Sequence, residues 1–367
     1  MRADMRVLIA GGGTGGHLFP GIAIAEEVVA RPGGAVLFVG TARGLETKLV
    51  PAAGFPLELL DVSGLNRVGL GNLLKGLLRL PKAFFASRAV LKRFKPDLVL
   101  GVGGYASGPL VFAAALSGYP TAIQEQNSRP GFTNRVLGFF ARRVFVAFDD
   151  ARGFFAAGKT RLLGNPVRRR FTASATNANA AAGSVLILGG SQGARAVNDL
   201  VAGAAALLVK EGRLPRIVHQ TGAGDEARMR ARYKELGIEV DGAAGVSIRA
   251  FIDDMPAVLA DAALVVGRAG ALTLAELAMT GRPAILIPLP TAAADHQTSN
   301  AAEFERAGAA VVAPQATTTP ESLARLIADL MNDPARRAAM SKAMAALGRP
   351  AATRDIVDEM ATLVKVA

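Results

Sequence analysis

A short apolar segment followed at once by a cluster of glycines occurs twice in this chain, and it constrains the fold more than any other feature. Residues 7–10 (VLIA) precede the turn 11–16 (GGGTGG), and residues 185–188 (VLIL) precede the turn 189–193 (GGSQG). Residues with helical periodicity follow each turn. A buried strand, a glycine turn and a helix in this order are typical of the nucleotide-binding unit of an open parallel sheet. The repeat predicts two α/β units.

Both halves continue as an alternation of short apolar segments and helical stretches, which predicts parallel sheets with crossover helices. Strands are expected at 35–39, 97–101, 121–124, 144–147, 216–219, 246–250, 263–266 and 284–289. Two doubly wound halves joined by one linker leave a cleft between the carboxyl edges of their sheets. Ligands of open α/β sheets bind at that edge.

The length of 367 residues suits two domains. Near residue 166 the alternation stops, and Ala, Asn, Ser, Thr and Arg follow with little periodicity. We predict an N-terminal Rossmann-like domain at 1–165, a linker at 166–183, and a C-terminal Rossmann-like domain at 184–350. A terminal helix is predicted within 351–367, and we consider that it packs back on the N-terminal domain.

The formal net charge of +12 favours an anionic partner, such as nucleic acid, acidic lipid or a phosphorylated substrate. Aromatic residues make up 5% and do not alternate with basic residues, so a nucleic-acid partner is not predicted. The absence of cysteine excludes disulfides and thiolate-bound metals, and it fits a reducing compartment. No apolar stretch reaches the roughly 18–20 residues of a membrane span, so a soluble or peripheral protein is expected.

Gly11, Gly13 and Gly16 have the spacing of the dinucleotide fingerprint, in which glycine lets the backbone approach a phosphate. That fingerprint also needs an acidic residue at the end of the second strand, which holds a ribose. Here the second strand ends at 38–41 (FVGT), and the next carboxylate is Glu46. The pattern disfavours a nicotinamide-dependent oxidoreductase and leaves an anion site or a turn without a ligand as the alternatives.

A third turn, 268–276 (RAGALTLAE), follows the strand predicted at 263–266. The helix that begins there offers N–H donors and the Thr273 hydroxyl to a diphosphate. Glu276 lies about one turn into this helix, where a carboxylate either accepts hydrogen bonds from a ribose diol or stabilises the helix dipole. The spacing alone leaves both interpretations open.

The chain has three histidines, and none has a second histidine or a carboxylate at the spacing of a helical metal site. No Asp-x-Asp pair is placed to hold a catalytic metal, so neither a metal nor a cofactor is predicted. His219 ends a predicted strand and is interpreted as structural. His17 closes the first glycine turn at the carboxyl edge of a sheet, where a ligand would lie.

These turns belong to eight stretches that together resemble the MurG family, the UDP-N-acetylglucosamine–N-acetylmuramyl-(pentapeptide) pyrophosphoryl-undecaprenol N-acetylglucosaminyltransferases. The stretches follow the order of the family: 11–20 (GGGTGGHLFP), 101–109 (GVGGYASGP), 124–134 (QEQNSRPGFTN), 164–168 (GNPVR), 189–195 (GGSQGAR), 251–255 (FIDDM), 270–276 (GALTLAE) and 295–301 (DHQTSNA). Ala269 stands where many members have serine.

The resemblance implies a GT-B fold of two Rossmann-like domains facing a cleft, with UDP-N-acetylglucosamine held mainly by the second half. It implies that the Ile252 backbone contacts the uracil and that Glu276 contacts the ribose. The other implied contacts are Ala271, Leu272 and Thr273 at the diphosphate, with Leu274 and Ala275 in the same stretch; Ser191 and Arg168 near the phosphates; Gln297, beside His296, at the sugar hydroxyls; and Thr14, Gly15, Gly16 and Asn127 near the sugar and the acceptor.

The implied reaction inverts the anomeric carbon of N-acetylglucosamine as it moves to the 4-hydroxyl of a lipid-linked muramyl-pentapeptide, from lipid I to lipid II. His17 is the candidate base, because an imidazole titrates near neutral pH. The alternative is that His17 only hydrogen-bonds the acceptor diphosphate.

The family works in peptidoglycan synthesis, and thus in cell shape and division, as a peripheral protein on the cytoplasmic face of the inner membrane. Two other functions were considered: a GT-B enzyme for a different lipid acceptor, and a nucleotide-sugar-binding regulator without turnover.

The segment 65–95 has eight basic residues, no acidic one, and leucines and phenylalanines between them. On a helix, its leucines at 73, 74, 77 and 78 share one face, and Lys75, Arg79 and Lys82 lie on or near the other. This pattern is typical of a helix at an anionic lipid surface. An ordinary amphipathic helix with its leucines in the core is the alternative. The lipid-linked acceptor that the resemblance implies favours membrane contact.

Overall fold

The computed structural model describes residues 4–42, 44–60, 70–173, 183–190, 193–242, 245–292 and 295–364, and for 70–80, 172 and 173 it describes the backbone alone. The chain forms two compact units. The first comprises residues 1–168 together with 350–367, and the second comprises residues 169–349.

The first unit contains a seven-stranded parallel sheet with the order β3-β2-β1-β4-β5-β6-β7. Its strands are β1 Arg6–Gly11, β2 Ala35–Gly40, β3 Leu57–Leu59, β4 Leu98–Gly103, β5 Thr121–Glu125, β6 Arg143–Val146 and β7 Thr160–Leu162. Its helices are α1 Gly15–Val29, α2 Glu46–Ala52, α3 Leu70–Phe94, α4 Ser107–Leu116, α5 Phe132–Phe140 and, from the far end of the chain, α14 Ala352–Leu363. The order of the strands switches between β1 and β4: β2 and β3 lie on one side of this point, and β5, β6 and β7 lie on the other. Open sheets of this kind bind ligands at such a switch point.

The second unit contains a six-stranded parallel sheet with the order β10-β9-β8-β11-β12-β13. Its strands are β8 Ser184–Leu188, β9 Ile217–Gln220, β10 Val246–Arg249, β11 Ala262–Gly267, β12 Ala284–Leu286 and β13 Ala310–Val312. Its helices are α6 Arg169–Ala173, α7 Arg195–Lys210, α8 Glu226–Glu235, α9 Met255–Asp261, α10 Ala271–Thr280, α11 His296–Arg306, α12 Pro320–Asn332 and α13 Pro334–Ala346. Here the order reverses between β8 and β11.

Apolar side chains cover both faces of each sheet, as expected of parallel strands that lie between two layers of helices. Strands β1 and β8 show this directly, since every residue from Val7 to Gly11 and from Ser184 to Leu188 is buried. The final helix, α14, buries Ile356, Val357 and Met360 in the same apolar cluster as β1 and α1. The core of the first unit is therefore completed by residues from the C-terminal end of the chain.

Every strand predicted from the sequence is present within about two residues at each end, except that β12 ends three residues earlier than expected, at Leu286. Among the described residues the structure adds three strands that we did not predict: β3, β7 and β13. Each has three residues, too few to show a hydrophobic period. The segment 166–183, predicted as a linker, contains the short helix α6, and its residues 174–182 lie outside the described part.

Among the helices of the described residues, none is both long enough and apolar enough to cross a membrane.

Candidate functional site

The glycine turn after β1 packs directly against the turn after β4. The Gly12 N–H donates to the Gly103 carbonyl at 3.3 Å, and the Ser107 hydroxyl donates to the Ala10 carbonyl at 2.6 Å. Gly104 has φ +84°, and a Cβ there would lie 2.3 Å from the Gly12 carbonyl oxygen. Only glycine fits this close approach of two backbones. The two turns therefore form one surface at the carboxyl edge of the first sheet.

His17 lies on this surface in the first turn of α1. Its ring lies across Gly103, where a Cβ would come within 2.8 Å of the His17 Cδ2 atom. Its Nδ1 lies 3.3 Å from the Gly12 carbonyl oxygen. Since a carbonyl can only accept, this contact places the proton of a neutral ring on Nδ1 and the basic lone pair on Nε2.

Thr14 precedes α1 as its N-cap in an extended conformation, and its side chain makes no capping hydrogen bond. Thr14 and Gly16 are exposed, whereas Gly15 is buried. The N-terminus of α1, with no acidic residue in its first turn, is suited to an anion. Thr14, Gly15, Gly16 and His17 thus lie together at this edge of the sheet.

Glu46 contacts this turn, and the sequence analysis did not assign it there. Its fully buried carboxylate accepts hydrogen bonds from the Gly13 N–H, the Thr41 N–H and the Thr41 hydroxyl, each at 2.8 Å. Burial acts to raise the pKa of Glu46, but these donors together hold the pKa below its ordinary value of 4.5. The sequence analysis named Glu46 only as the next carboxylate after the second strand, beyond the position of the ribose acid in the dinucleotide fingerprint.

Asn127 follows β5, next to β4 in the sheet, so it reaches the same edge as His17. It is held by Glu125, whose carboxylate accepts from the Asn127 N–H at 2.9 Å and from the Asn134 side chain at 2.9 Å. Glu125 is buried, and desolvation raises its pKa. The sequence analysis missed Glu125, although an acid at the carboxyl end of a predicted strand was a usable signal.

Arg168 is the last residue of the N-terminal segment of the first unit. Its guanidinium lies 4.3 Å from the centre of the Phe19 ring on α1, in a cation–π contact. The sequence analysis placed Arg168 near phosphates. In the structure, its guanidinium packs against Phe19 of α1, the helix that begins at the first glycine turn.

In the second unit, α10 begins at the carboxyl edge of the sheet, directly after β11. Gly270 is its N-cap, and the Thr273 hydroxyl oxygen lies 3.8 Å from where a Cβ of Gly270 would be. Leu272, Thr273, Ala275 and Glu276 are partly exposed. The positive end of this helix and the Thr273 hydroxyl are suited to an anion such as a diphosphate.

Two residues of the predicted α10 stretch have no side chain at the surface. The Ala271 side chain is buried, so this residue can contribute only its backbone at the helix start. The Leu274 side chain is fully buried, and its N–H donates to the Gly270 carbonyl at 3.0 Å. Leu274 therefore supports the helix from the core and offers no polar group to a ligand.

Gln297 lies in the first turn of α11, next to the loop after β12. Its Oε1 accepts from the Leu289 N–H at 3.0 Å. One turn further, the buried Asn300 side chain donates to the Ala269 carbonyl at 3.3 Å. Gln297 and Asn300 thus connect α11 to the loops after β12 and β11. His296, which begins α11, is partly exposed beside Gln297.

The second glycine turn has positive φ at Gly190 (+90°) and at Gly193 (+76°). A Cβ at Gly193 would lie 2.1 Å from the Thr221 carbonyl oxygen, so only glycine fits there. The Gln220 side chain donates to the Gly190 carbonyl at 3.2 Å. Ser191, predicted at the phosphates, lies outside the described residues.

His219 is structural, as the sequence predicted. The ring is buried between the Tyr233 hydroxyl, at 2.9 Å from Nδ1, and the Asn198 side-chain oxygen, at 3.0 Å from Nε2. Asn198 also donates to the Thr221 carbonyl at 3.0 Å. Burial lowers the pKa of His219 to about 3, so the ring is neutral at neutral pH.

Ile252 follows β10 and is buried, while its neighbours Phe251 and Asp253 are exposed. Its backbone rather than its side chain is therefore the part that can meet a ligand. Asp254 caps α9 by accepting from the Ala257 N–H at 3.3 Å, and Arg170 donates to the Asp253 carbonyl at 3.0 Å. Within the described part of the chain, no group of three or more His, Cys, Asp or Glu side chains could hold a metal.

Two parallel α/β units, each with a glycine turn and a helix N-terminus at the carboxyl edge of its sheet, define the GT-B fold class. Residues 7–146 match the glycosyltransferase family 28 N-terminal domain, and residues 184–358 match the glycosyltransferase family 28 C-terminal domain. The fold is also that of a UDP-GlcNAc 2-epimerase from Neisseria meningitidis, with a TM-score of 0.68 at 15% identity over 98% of this chain and 100% of that one.

Curated relatives narrow the class. UDP-N-acetylglucosamine–N-acetylmuramyl-(pentapeptide) pyrophosphoryl-undecaprenol N-acetylglucosamine transferases from Anaeromyxobacter sp. (strain K) and Myxococcus xanthus are each 49% identical to this chain. The first match covers 98% of this chain and 94% of the relative, and the second covers 96% and 92%. The crystal structure of Acinetobacter baumannii MurG has a TM-score of 0.78 at 32% identity, over 98% of this chain and 100% of that one. The chain belongs to the MurG family of glycosyltransferases.

Proposed function

We propose that this protein transfers N-acetylglucosamine from UDP-N-acetylglucosamine to the 4-hydroxyl of undecaprenyl-pyrophosphoryl-N-acetylmuramyl-pentapeptide, the step from lipid I to lipid II in peptidoglycan synthesis. The observation that carries the proposal is the 49% identity, over 98% of the chain, to a transferase of that name. The geometry of each unit supports it, because the motif residues lie at the carboxyl edges of the two sheets.

The donor site of the proposal lies in the second unit. The N-terminus of α10, with the Thr273 hydroxyl, stabilises the diphosphate of UDP as it leaves. Glu276 lies one turn along α10 and is partly exposed, so its carboxylate accepts from the ribose diol. The backbone at Ile252 meets the uracil, and Gln297 meets the sugar. The resemblance also assigns Ser191 and Arg168 to the phosphates; Ser191 lies outside the described residues, and Arg168 belongs to the first unit.

The acceptor site of the proposal lies in the first unit, at the surface formed by the turns after β1, β4 and β5. Inversion is a single in-line displacement: the acceptor oxygen bonds to the anomeric carbon, the bond to the UDP oxygen breaks, and the hydroxyl proton goes to a base. His17 is the proposed base, because its Nδ1 contact with the Gly12 carbonyl orients the ring with the lone pair on Nε2. Asn127, Thr14, Gly15 and Gly16 orient the acceptor and the sugar.

Transfer of labelled N-acetylglucosamine from its UDP donor to a short-chain lipid I analogue tests the proposal. We expect the wild type to form the disaccharide lipid. His17→Asn should lower kcat by about 100-fold or more, as for loss of a general base, with little change in donor KM. Glu276→Ala should mainly raise donor KM.

Three outcomes would contradict parts of this proposal. A wild type that binds UDP-N-acetylglucosamine and leaves lipid I untouched would move the acceptor assignment to another lipid. A His17→Asn variant with raised acceptor KM and unchanged kcat would make His17 a ligand of the acceptor diphosphate. Binding of donor without transfer to any lipid acceptor would point to a regulator.

We further infer that the first unit rests on an anionic membrane surface through helices α3, α4 and α5. Within the segment predicted for this role, residues 65–69 lie outside the described part of the chain, and only the backbone of 70–80 is described. The remaining part of α3 exposes Phe85 by 66% and presents the exposed basic residues Lys82, Arg88 and Lys92. None of the three helices contains an acidic residue.

An aromatic row joins the three helices. Phe84 of α3, Phe112 of α4 and Phe140 of α5 are in contact, with ring centres 6.3 Å and 5.1 Å apart. Phe139, the neighbour of Phe140 in α5, is 82% exposed. Exposed aromatic side chains beside basic ones favour a lipid interface. This surface supports peripheral binding at the cytoplasmic face of the inner membrane.

Co-sedimentation with vesicles that contain phosphatidylglycerol tests this inference. The double variant Phe85→Ser/Phe139→Ser should bind several-fold more weakly than the wild type, and added salt should weaken both. Phe251→Ser removes an exposed aromatic of the second unit and serves as the matched control, which should bind like the wild type. Equal binding of the double variant and the wild type would contradict the proposed surface.

A further inference from the structure

Arg268 is a buried arginine that neither the motif comparison nor the proposed reaction uses. It follows β11 directly and is 8% exposed. Its guanidinium donates through one nitrogen to the carbonyls of Ile287, at 3.0 Å, and Pro288, at 3.2 Å. Through another nitrogen it donates to the Gln315 side-chain oxygen at 2.6 Å. One side chain thus ties together the segments that follow β11, β12 and β13.

The segment after β12 that Arg268 holds also contacts Gln297. The next N–H after the two carbonyls, that of Leu289, donates to Gln297 Oε1 at 3.0 Å. On the same face of α11, one turn later, Asn300 donates to the carbonyl of Ala269, the neighbour of Arg268, at 3.3 Å. The contacts therefore form a closed circuit from Arg268 through the β12 loop and α11 back to Ala269.

This circuit decides which end of the Gln297 carboxamide meets a ligand. The Leu289 N–H is a donor, so the group that faces it must be the amide oxygen. The amide –NH₂ is then the end that remains for a ligand, and it can only donate. A donor fixed in this way can form a hydrogen bond only with a ligand oxygen, such as that of a sugar hydroxyl, that lies opposite it.

We propose that Arg268 is a positioning residue for recognition of the donor sugar, acting through the Ile287–Leu289 backbone on Gln297. The inference rests on the proposed function, since it takes the ligand of the second unit to be a UDP-sugar. Lysine cannot replace Arg268, because its single ammonium group has no planar fork that reaches two backbone carbonyls and a carboxamide together. Loss of the fork frees the β12 loop and lets the Gln297 amide turn.

Arg282, which lies between α10 and β12, offers a matched control. It is also buried, at 4% exposed, and donates to the Ala262 carbonyl at 3.2 Å, at the amino end of β11. Burial lowers the pKa of both Arg268 and Arg282. The two arginines thus share burial and backbone capping, but only Arg268 lies at the carboxyl edge where the loop to Gln297 begins.

The test compares the binding of UDP-N-acetylglucosamine and of UDP by calorimetry to the wild type, Arg268→Lys and Arg282→Lys. Arg268→Lys should weaken UDP-N-acetylglucosamine about three- to tenfold, the effect of one hydrogen bond, and change UDP binding less than about twofold. Arg282→Lys should change the affinity for neither ligand, even if it lowers the melting temperature as much as Arg268→Lys does. In a Gln297→Ala background, Arg268→Lys should have no further effect on sugar binding.

The opposite results separate the inference from the proposed function. Equal weakening of UDP and UDP-N-acetylglucosamine by Arg268→Lys, or an undiminished effect in the Gln297→Ala background, would overturn the positioning role and leave the donor assignment standing. A wild type that binds neither nucleotide would overturn the proposed function, and this inference with it.

Discussion

At the scale of single residues, buried carboxylates organise the first glycine turn and the Asn127 loop. Glu46 accepts hydrogen bonds from the backbone N–H groups of Gly13 and Thr41, and Glu125 accepts from that of Asn127. A buried N–H without an acceptor costs about 1–3 kcal/mol, so each acid stabilises a loop that carries proposed site residues. Neither role followed from the motifs, because the backbone N–H groups and side chains that donate to each acid are brought near it by the fold.

Glu46→Gln should lower the free energy of unfolding by about 1–3 kcal/mol at pH 7, because the amide –NH₂ would face donors at Gly13 or Thr41. The folded-state pKa of Glu46 lies below 4.5, so its stabilisation is present above that pH and is lost as the pH falls through the folded pKa. Denaturant titrations at pH 7 and near pH 3 measure this difference.

The control for this prediction is Glu235→Gln, which removes an exposed carboxylate paired with Arg232. Its effect should stay under about 0.5 kcal/mol at either pH. A Glu46→Gln variant as stable as the wild type at pH 7 would mean that Glu46 is not the acceptor that holds the turn.

At the scale of elements, hydrophobic pattern predicted the longer strands and helices, and tertiary contacts decided the short ones. Strands β1 and β8 each bury a run of apolar residues, which the sequence shows directly. Strand β13 has three residues and exists because Ala310, Val311 and Val312 pair with β12. A segment this short has no period of its own, so sequence reasoning could not find it.

His219 connects three elements of the second unit: β9, α7 through Asn198 and α8 through Tyr233. The pKa of His219 is lowered by burial from 6.5 to about 3, so the unfolded chain binds one more proton between those values. Stability at this site is therefore full above pH 6.5 and falls as the pH drops toward 3. His219→Gln should flatten the decline in unfolding free energy between pH 6 and pH 4, measured by denaturant titration.

Glutamine at position 219 can still both donate and accept hydrogen bonds. The variant should therefore lose little unfolding free energy at pH 7, and its main effect should be on how that free energy changes with pH. His296→Gln is the control, because His296 is partly exposed at the start of α11. An unchanged pH slope in His219→Gln would show that acid unfolding begins elsewhere.

At the scale of the whole molecule, the end of the chain completes the core of its beginning. Helix α14 buries Ile356, Val357 and Met360 against β1 and α1, and Asp358 pairs with Arg31 at 2.8 Å. The sequence indicated a helix at this end, considered to pack back on the N-terminal domain, but no local pattern states which elements it contacts. That pairing is a property of the tertiary structure.

Val357→Asp should destabilise the first unit by several kcal/mol, because it buries an unpaired charge in that core. Hydrogen exchange should show lost protection in β1 and α1, with β8 and β11 still protected. Thr362→Asp places the same charge on an exposed position of α14 and should leave exchange unchanged. Equal loss of protection in both sheets would mean that the two units do not unfold separately.

The predictions of the GT-B fold, the MurG family and the class of glycosyltransferase are confirmed. These follow from local sequence, because strand–glycine–helix turns are made by neighbouring residues and a positive φ at Gly13, Gly190 or Gly193 is a requirement that glycine alone meets without strain. The domain boundaries and the contacts of each site residue stay proposals.

Local sequence therefore determined the two parallel sheets, the glycine turns and the helix N-terminus at Gly270. The tertiary structure decided what lies behind them: Glu46 under the first turn, Arg268 behind the loop to Gln297, and α14 on the core of the first unit. A hydrogen bond or an apolar contact between residues far apart in the chain depends on where the backbone has brought them, and no local period encodes that distance.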